Sequence, residues 1–257
     1  MYKRQLAGLL EALPARLVCD ALYVDGSRWW SLTCDRSCCP AEGTPYDLAS
    51  SRLAAEAVYD GLAARPTREA LAATLAGPPV GEIDRLIDLT AGVLDELERL
   101  TEPWRTAERL ERTVRSGVAD PNGLNDRTCA ELALLVTDLY LRDLAWALIS
   151  PDEAEQHVEV WLRVANRVPP DMSAAPLALL GVAGWISGHG ALLNCCADRL
   201  RDRHPGYSMG RLLAEISGLA VSPSLWRTMR TEAADRAAAR AGGVRFASGC
   251  AAWGAGR

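Results

Sequence analysis

The sequence predicts a mainly helical protein of the α+β class, with a β-hairpin near the N-terminus and an antiparallel helical array after it. Three observations carry this prediction. Apolar residues recur at helical spacing from about residue 50 to about residue 240. The joins between these segments carry Pro, Gly or Ser-Pro. Period-two alternation is confined to residues 16–33, so strands are few. With 257 residues, 49% hydrophobic and 24% charged, the chain has room for one large domain or two small ones. That composition excludes a disordered tail, a collagen-like fibre and a small disulfide scaffold.

Leu6 to Leu13 reads as a helix end stopped by Pro14. Arg16 to Tyr23 alternates, Asp25-Gly26 is a hairpin signal, and Arg28 to Thr33 supplies the return strand. Two strands alone are marginal, so the hairpin is expected to need partners. Cys34 to Asp47 is a loop rich in Cys, Pro and Gly. Leu53, Ala57, Val58 and Leu62 form an apolar stripe, and Thr67 caps a helix running to Ala76. After Pro78-Pro79, a long amphipathic helix carries Ile83, Leu86, Ile87, Val93, Leu94, Leu97 and Leu100. Pro103-Trp104 starts another helix, to about Val118, and Asp120-Pro121-Asn122-Gly123 breaks the pattern. Helices are predicted at about 127–149, 152–167, 173–187, 190–203, 208–219 and 223–240, with Asp171 and Ser222 as caps. Gly188 to Pro205 spans 17 residues, the spacing of a tetratricopeptide-like helix pair, although no second copy follows at the matching period.

The basic residues are lopsided: of 28 Lys plus Arg, only Lys3 is lysine, and Phe246 is the only phenylalanine. This is the bias of a GC-rich gene, and Met1 to Gln5 stands outside it. Residues 1–5 are therefore expected to derive from a sequencing adapter fused to a gene fragment, and the hairpin to be the remnant of a truncated α/β portion. The expected organisation is residues 6–120 as hairpin, cysteine loop and first helical part, 121–241 as helical array, and 242–257 as a disordered tail.

A net charge of −5 gives no electrostatic basis for nucleic acid, and no run reaches the ~18 apolar residues of a membrane helix. Eight cysteines are too sparse for a disulfide framework, so reduced thiols and a cytoplasmic location are expected.

Several segments together resemble a family. Residues 20–34, followed by Cys38-Cys39-Pro40 and Glu42-Gly43, are similar to the first block of the domain of unknown function 4192 family. Arg142-Asp143 fits its second block. Ala183-Gly184-Trp185, Gly188, Gly190-Ala191-Leu192, Pro205-Gly206-Tyr207 and Leu212-Leu213 fit its third. The resemblance covers about residues 16–230 and implies a protein of high-GC bacteria, usually with a further α/β portion before this point. It implies no reaction, because the family has no established activity.

The most chemical-looking segment is Cys34-x3-Cys38-Cys39-Pro40. Thiolates in a short loop could hold zinc, with Cys19 as the local fourth ligand, or act as a redox-active or reactive thiol, but neighbouring cysteines reach one ion only with strain. The residues favour small buried hydrophobes that pin the loop, and neither stoichiometric metal nor any other cofactor is expected. Strand alternation puts Arg28 and Trp30 on one face and Trp29 and Ser31 on the other, making Arg28 and Trp30 a candidate binding surface. Arg142, Asp143, Trp185 and His189 extend the candidate list. Asp143 is expected to face inward more than Arg142, as a structural ion pair or a semi-buried acid, and His189 to be an exposed turn residue. Asp84, Asp88 and Asp95 read as a solvated charged face. No nucleophile elbow, phosphate loop or His-Glu-x-x-His occurs. The expected function is a protein-interaction or regulatory helical module with another protein as partner. The alternative is an enzyme with its site between the cysteine loop and the array.

Overall fold

The structure is a computed structural model that describes residues 14, 18–34, 38–47, 51–52, 55–56, 67–99 and 103–226. The expectations for residues 1–5, for a helix at 6–13, for the stripe of Leu53, Ala57, Val58 and Leu62 and for the tail 242–257 lie outside the described residues. The chain divides into two compact units, Met1–Ala64 and Arg65–Arg257.

The first unit carries an antiparallel sheet of order β1-β2-β3: β1 Leu22–Val24, β2 Arg28–Ser31 and β3 Thr44–Pro45. Val24 pairs with Trp29, so the tight turn is centred on Gly26-Ser27, one residue later than Asp25-Gly26 suggests. Gly26 takes φ +96°, a left-handed value that favours glycine. Asp25 Oδ1 accepts from the backbone N–H of Ser27 at 3.0 Å and of Arg28 at 2.9 Å, which holds its carboxyl below the usual carboxylate range. The third strand is the addition to the predicted hairpin. It lies inside the predicted loop, pairing Arg28 with Pro45 and Trp29 with Thr44. Pro45 is tolerated because β3 is an edge strand.

The second unit is helical. Its described α-helices are α1 Arg68–Ala73, α2 Ile83–Leu97, α3 Pro103–Ala119, α4 Asp126–Leu135, α5 Leu139–Leu148, α6 Ala154–Asn166, α7 Ala174–Ile186, α8 Gly190–Arg203 and α9 Ser208–Gly218. Thr67 caps α1 as predicted, its hydroxyl accepting from Ala70 N at 3.1 Å. The predicted helix 127–149 is instead two helices, α4 and α5. Asp138 is extended at φ −71°, ψ 130°, and its carboxylate accepts from Leu141 N at 3.0 Å, starting a new helix. Asp171 does not cap α7; it lies in a single 3₁₀ turn, and the residue before α7 is Ser173. Ser222 Oγ accepts from Ser224 N at 3.3 Å, at the start of the last described turn. The break at Asp120 to Gly123 is a turn within the second unit, where the Asp120 carboxylate accepts from Asn122 N at 3.1 Å. Among the described residues, no helix is long and apolar enough to cross a membrane.

Helix α7 is the centre of this unit. It is apolar all round and buried from Ala175 to Ile186, as a helix enclosed by others must be. It packs between α6 and α8, with α9 and α5 completing its surroundings. Gly181 permits this enclosure: a Cβ there would lie 2.6 Å from Leu213 Cδ1 on α9 and 3.1 Å from Cys196 Cβ on α8. Helix α1 is tied to the array by Asn166, whose amide donates to Thr74 O at 2.7 Å and accepts from Gly77 N at 2.9 Å. The described chain ends with Trp226 returning to α5, stacked on Trp146 at 5.4 Å and donating from Nε1 to Ile149 O at 3.0 Å.

One packing contact makes stability pH-dependent. His204 follows α8, with Nε2 3.1 Å from Ser173 Oγ. Burial pulls its pKa below the ordinary 6.5, against the raising effect of Asp171. The unfolded chain then binds this proton more readily than the folded one. His204's contribution is therefore complete above pH 6.5 and lost as pH falls through its lower native value. The denaturation midpoint is expected to drop between about pH 7.5 and 5.5, and His204→Gln to reduce that drop. An identical pH profile in the variant would remove His204 as the cause.

Candidate functional site

The cysteine loop leaves β2 and returns as β3, and β2 clamps it near both ends. At its start, Asp20 accepts from Ser31 Oγ at 2.8 Å and from Thr33 Oγ1, and Ser31 Oγ accepts from Cys34 N at 3.1 Å. The hydroxyls of Thr33 and Ser31, with the Ala21 N–H, hold the Asp20 carboxyl below its ordinary range. At its end, Arg28 Nη1 donates to Gly43 O at 2.8 Å and Glu42 O at 3.2 Å, and Trp30 Nε1 donates to Ala41 O at 3.1 Å. Gly43 has φ +82°, and a Cβ on it would fall 2.4 Å from Trp30 Cε2, so the loop backbone rests directly on the indole. Arg28 and Trp30, predicted to share one face, thus both hold their own chain's loop. Tyr23 packs on Trp30 with ring centroids 5.3 Å apart.

Between these clamps three thiols converge. Cys34 Sγ lies 3.7 Å from Cys38 Sγ, Cys38 Sγ lies 4.0 Å from Cys39 Sγ, and all three sulfurs fall within 4.8 Å of one another. Cys38 is exposed and Cys34 and Cys39 are half-buried, so the reading of these residues as buried hydrophobes is overturned. The hydrogen bond with Cys34, desolvation and the nearness of Cys38 push the Cys39 thiol up to about 12. Elsewhere, burial, with a lesser push from Asp126, takes the Cys129 thiol up to about 12, and burial with the nearby Cys195 raises Cys196; these are inert core side chains.

The helical candidates have separate roles. Arg142, not Asp143, faces inward: its side chain is 10% exposed against 25% for Asp143. The guanidinium donates to Asp143 Oδ1 at 2.6 Å and stands 6.0 Å from the centre of the Tyr207 ring. This joins two segments that the sequence places 65 residues apart. Trp185 is core rather than surface, 6% exposed, and its indole donates to Val221 O at 2.8 Å. His189 is the residue before α8; it is half-buried rather than a free turn residue, with Nε2 2.8 Å from Glu155 Oε1 on α6. Within the second unit, Asp143 is paired with Arg142 on its own helix and His189 with Glu155 on α6.

Two features were missed from the sequence. Glu131 is buried on α4, accepting from Arg109 Nε at 2.8 Å, Arg109 Nη2 at 2.6 Å and Thr113 Oγ1 at 3.3 Å. The α2 pattern also splits: Leu86, Thr90 and Val93 are buried, whereas Ile87 and Leu94 are exposed. The seven-residue spacing of Val80, Ile87 and Leu94 was the available signal. A cleft of about 260 Å³ between α3, α5 and α6 is lined by Val114, Val118, Leu148, Glu153 and His157.

Over residues 2–224 the chain matches the family model described as a domain of unknown function (DUF4192). No curated protein and no solved structure matches it.

Proposed function

The chain belongs to this family of unknown function (DUF4192), and we propose that its helical unit works as a protein-interaction module whose docking surface is α2. The observation that carries the reading is a row of exposed apolar side chains, Val80 at 85%, Ile87 at 48% and Leu94 at 41%. Isolated apolar side chains on a surface need no explanation, but Ile87 and Leu94 share one face of α2 at heptad spacing, and Val80 precedes them in the 3₁₀ turn Val80–Glu82 that leads into the helix. Helix α2 packs against α4 and buries Leu86, Thr90 and Val93, and Ile87 and Leu94 stand beside that stripe, exposed among the described residues. Asp84, Asp88 and Asp95 are exposed along one flank. A partner helix with apolar residues at positions i, i+3 or i+4 and i+7 and a lysine-rich edge complements both features.

The test uses a synthetic amphipathic helix of leucine and lysine and reads binding by fluorescence anisotropy. The paired substitution Ile87→Asp and Leu94→Asp is expected to weaken binding at least about tenfold, the scale of an interface hot spot. Helical circular dichroism should stay unchanged, because both side chains are half-exposed. Equal binding by the wild type and the double variant, or none by either, would sink the reading.

A further inference from the structure

We infer that Cys34, Cys38 and Cys39 form a binding site for one thiophilic d10 cation, with Zn²⁺ as the probe of choice. The geometry is the argument. Thiolates bound to zinc at ~2.3 Å stand ~3.8 Å apart along a tetrahedral edge. Two of the sulfur separations, 3.7 and 4.0 Å, bracket that value, and the third lies within 4.8 Å. The sequence-level objection was that neighbouring cysteines reach one ion only with strain. Here Cys38 and Cys39 already bring their sulfurs to 4.0 Å, so that objection does not hold.

The surroundings fit a site held in place before the ion arrives. The backbone N–H of Cys34 is fixed on Ser31 Oγ at 3.1 Å, and Ser31 is fixed on Asp20 at 2.8 Å. On the other side, Gly43 N donates to Pro40 O at 2.9 Å, closing a turn directly after Cys39. Arg28 and Trp30 then bind the carbonyls of residues 41–43. Outer partners that orient ligands in this way commonly support metal sites. Three sulfurs side by side also repel once ionised, and a cation between them removes that repulsion. The ligand set is all sulfur, which selects zinc, cadmium or copper(I) over the hard cations magnesium and calcium. Cys19 is exposed and is not in the group within 4.8 Å, so among the described residues the three thiols supply three of the four positions of a tetrahedral ion.

The experiment titrates the reduced, chelator-stripped full chain with Zn²⁺ and, in parallel, with Co²⁺. The expected result is one equivalent per chain and sulfur-to-cobalt charge-transfer absorption of three-thiolate intensity. Cys34→Ser, Cys38→Ser and Cys39→Ser should each weaken Zn²⁺ binding by at least about a hundredfold, the upper end for losing a mere outer partner. Cys19→Ser should bind as the wild type does. Amide exchange of residues 22–31 checks that each variant keeps its sheet, and helical circular dichroism checks the second unit. No uptake by the reduced protein, uptake indifferent to all three serine variants, or a Cys34–Cys38 disulfide that persists under excess reductant would each overturn the site. The result is independent of peptide binding at α2, so either reading can fail alone.

Discussion

Trp161→Ala is expected to lower folding stability by ~3–5 kcal/mol, a large part of the ~5–15 kcal/mol that holds an ordinary domain. Trp161 lies on α6, fully buried at 0% exposure, within the core that surrounds α7. Removing its indole leaves a cavity that packed helices relax into only partly, so the transfer and cavity costs add. Trp161→Phe separates these from the polar contribution. The indole Nε1 has no hydrogen-bond partner among the described residues, and an unpaired buried donor costs ~1–3 kcal/mol. Phenylalanine discards that donor and keeps most of the apolar volume, so its cost should be less than half that of alanine. Urea denaturation followed by far-ultraviolet circular dichroism measures both. A midpoint for Trp161→Ala within experimental error of the wild type would show that the array around α7 is not the cooperative core described above.

Gly43→Ala is expected to dismantle the sheet and cysteine loop while leaving the helices intact. Two costs coincide at this position. Alanine is strained at φ +82°, and its Cβ would meet the rigid face of Trp30 at 2.4 Å. Left-handed strain and overpacking together amount to about 2–5 kcal/mol. A short three-stranded sheet has little reserve against that. Gly26→Ala separates the two costs, because Gly26 also has a left-handed φ, +96°, but nothing lies within 4 Å of its Cβ position. Amide exchange of residues 22–31 should accelerate strongly in Gly43→Ala and modestly in Gly26→Ala. Equal acceleration in both would mean that the Trp30 contact contributes nothing.

Local chemistry was legible in the sequence wherever it acts over three or four residues. Thr67 could be read as a cap, Pro78-Pro79 as a stop and Pro103 as a start, because each depends on its own φ or on a nearby N–H. The error at residues 127–149 came from the same kind of signal, outweighed. Thr137-Asp138 is a cap in an unbroken apolar run, and the run was read as one helix. That break resets the helical phase, which is why Arg142 and not Asp143 turned inward.

By itself, the sequence determined the helical class, the Thr67 cap and the resemblance to the family, because these rest on periodicity and on residue types in local contact. Only the tertiary structure decided which apolar residues of α2 are buried, since that depends on where α4 lies against it. It also decided that Arg28 and Trp30 serve the loop, and that Trp185 belongs to the core. The distances among Cys34, Cys38 and Cys39 belong with these. They follow from Ser31 holding one end of the loop and Arg28 and Trp30 holding the other. Spacing along a chain does not give the separation of side chains in a loop; the contacts that close the loop do.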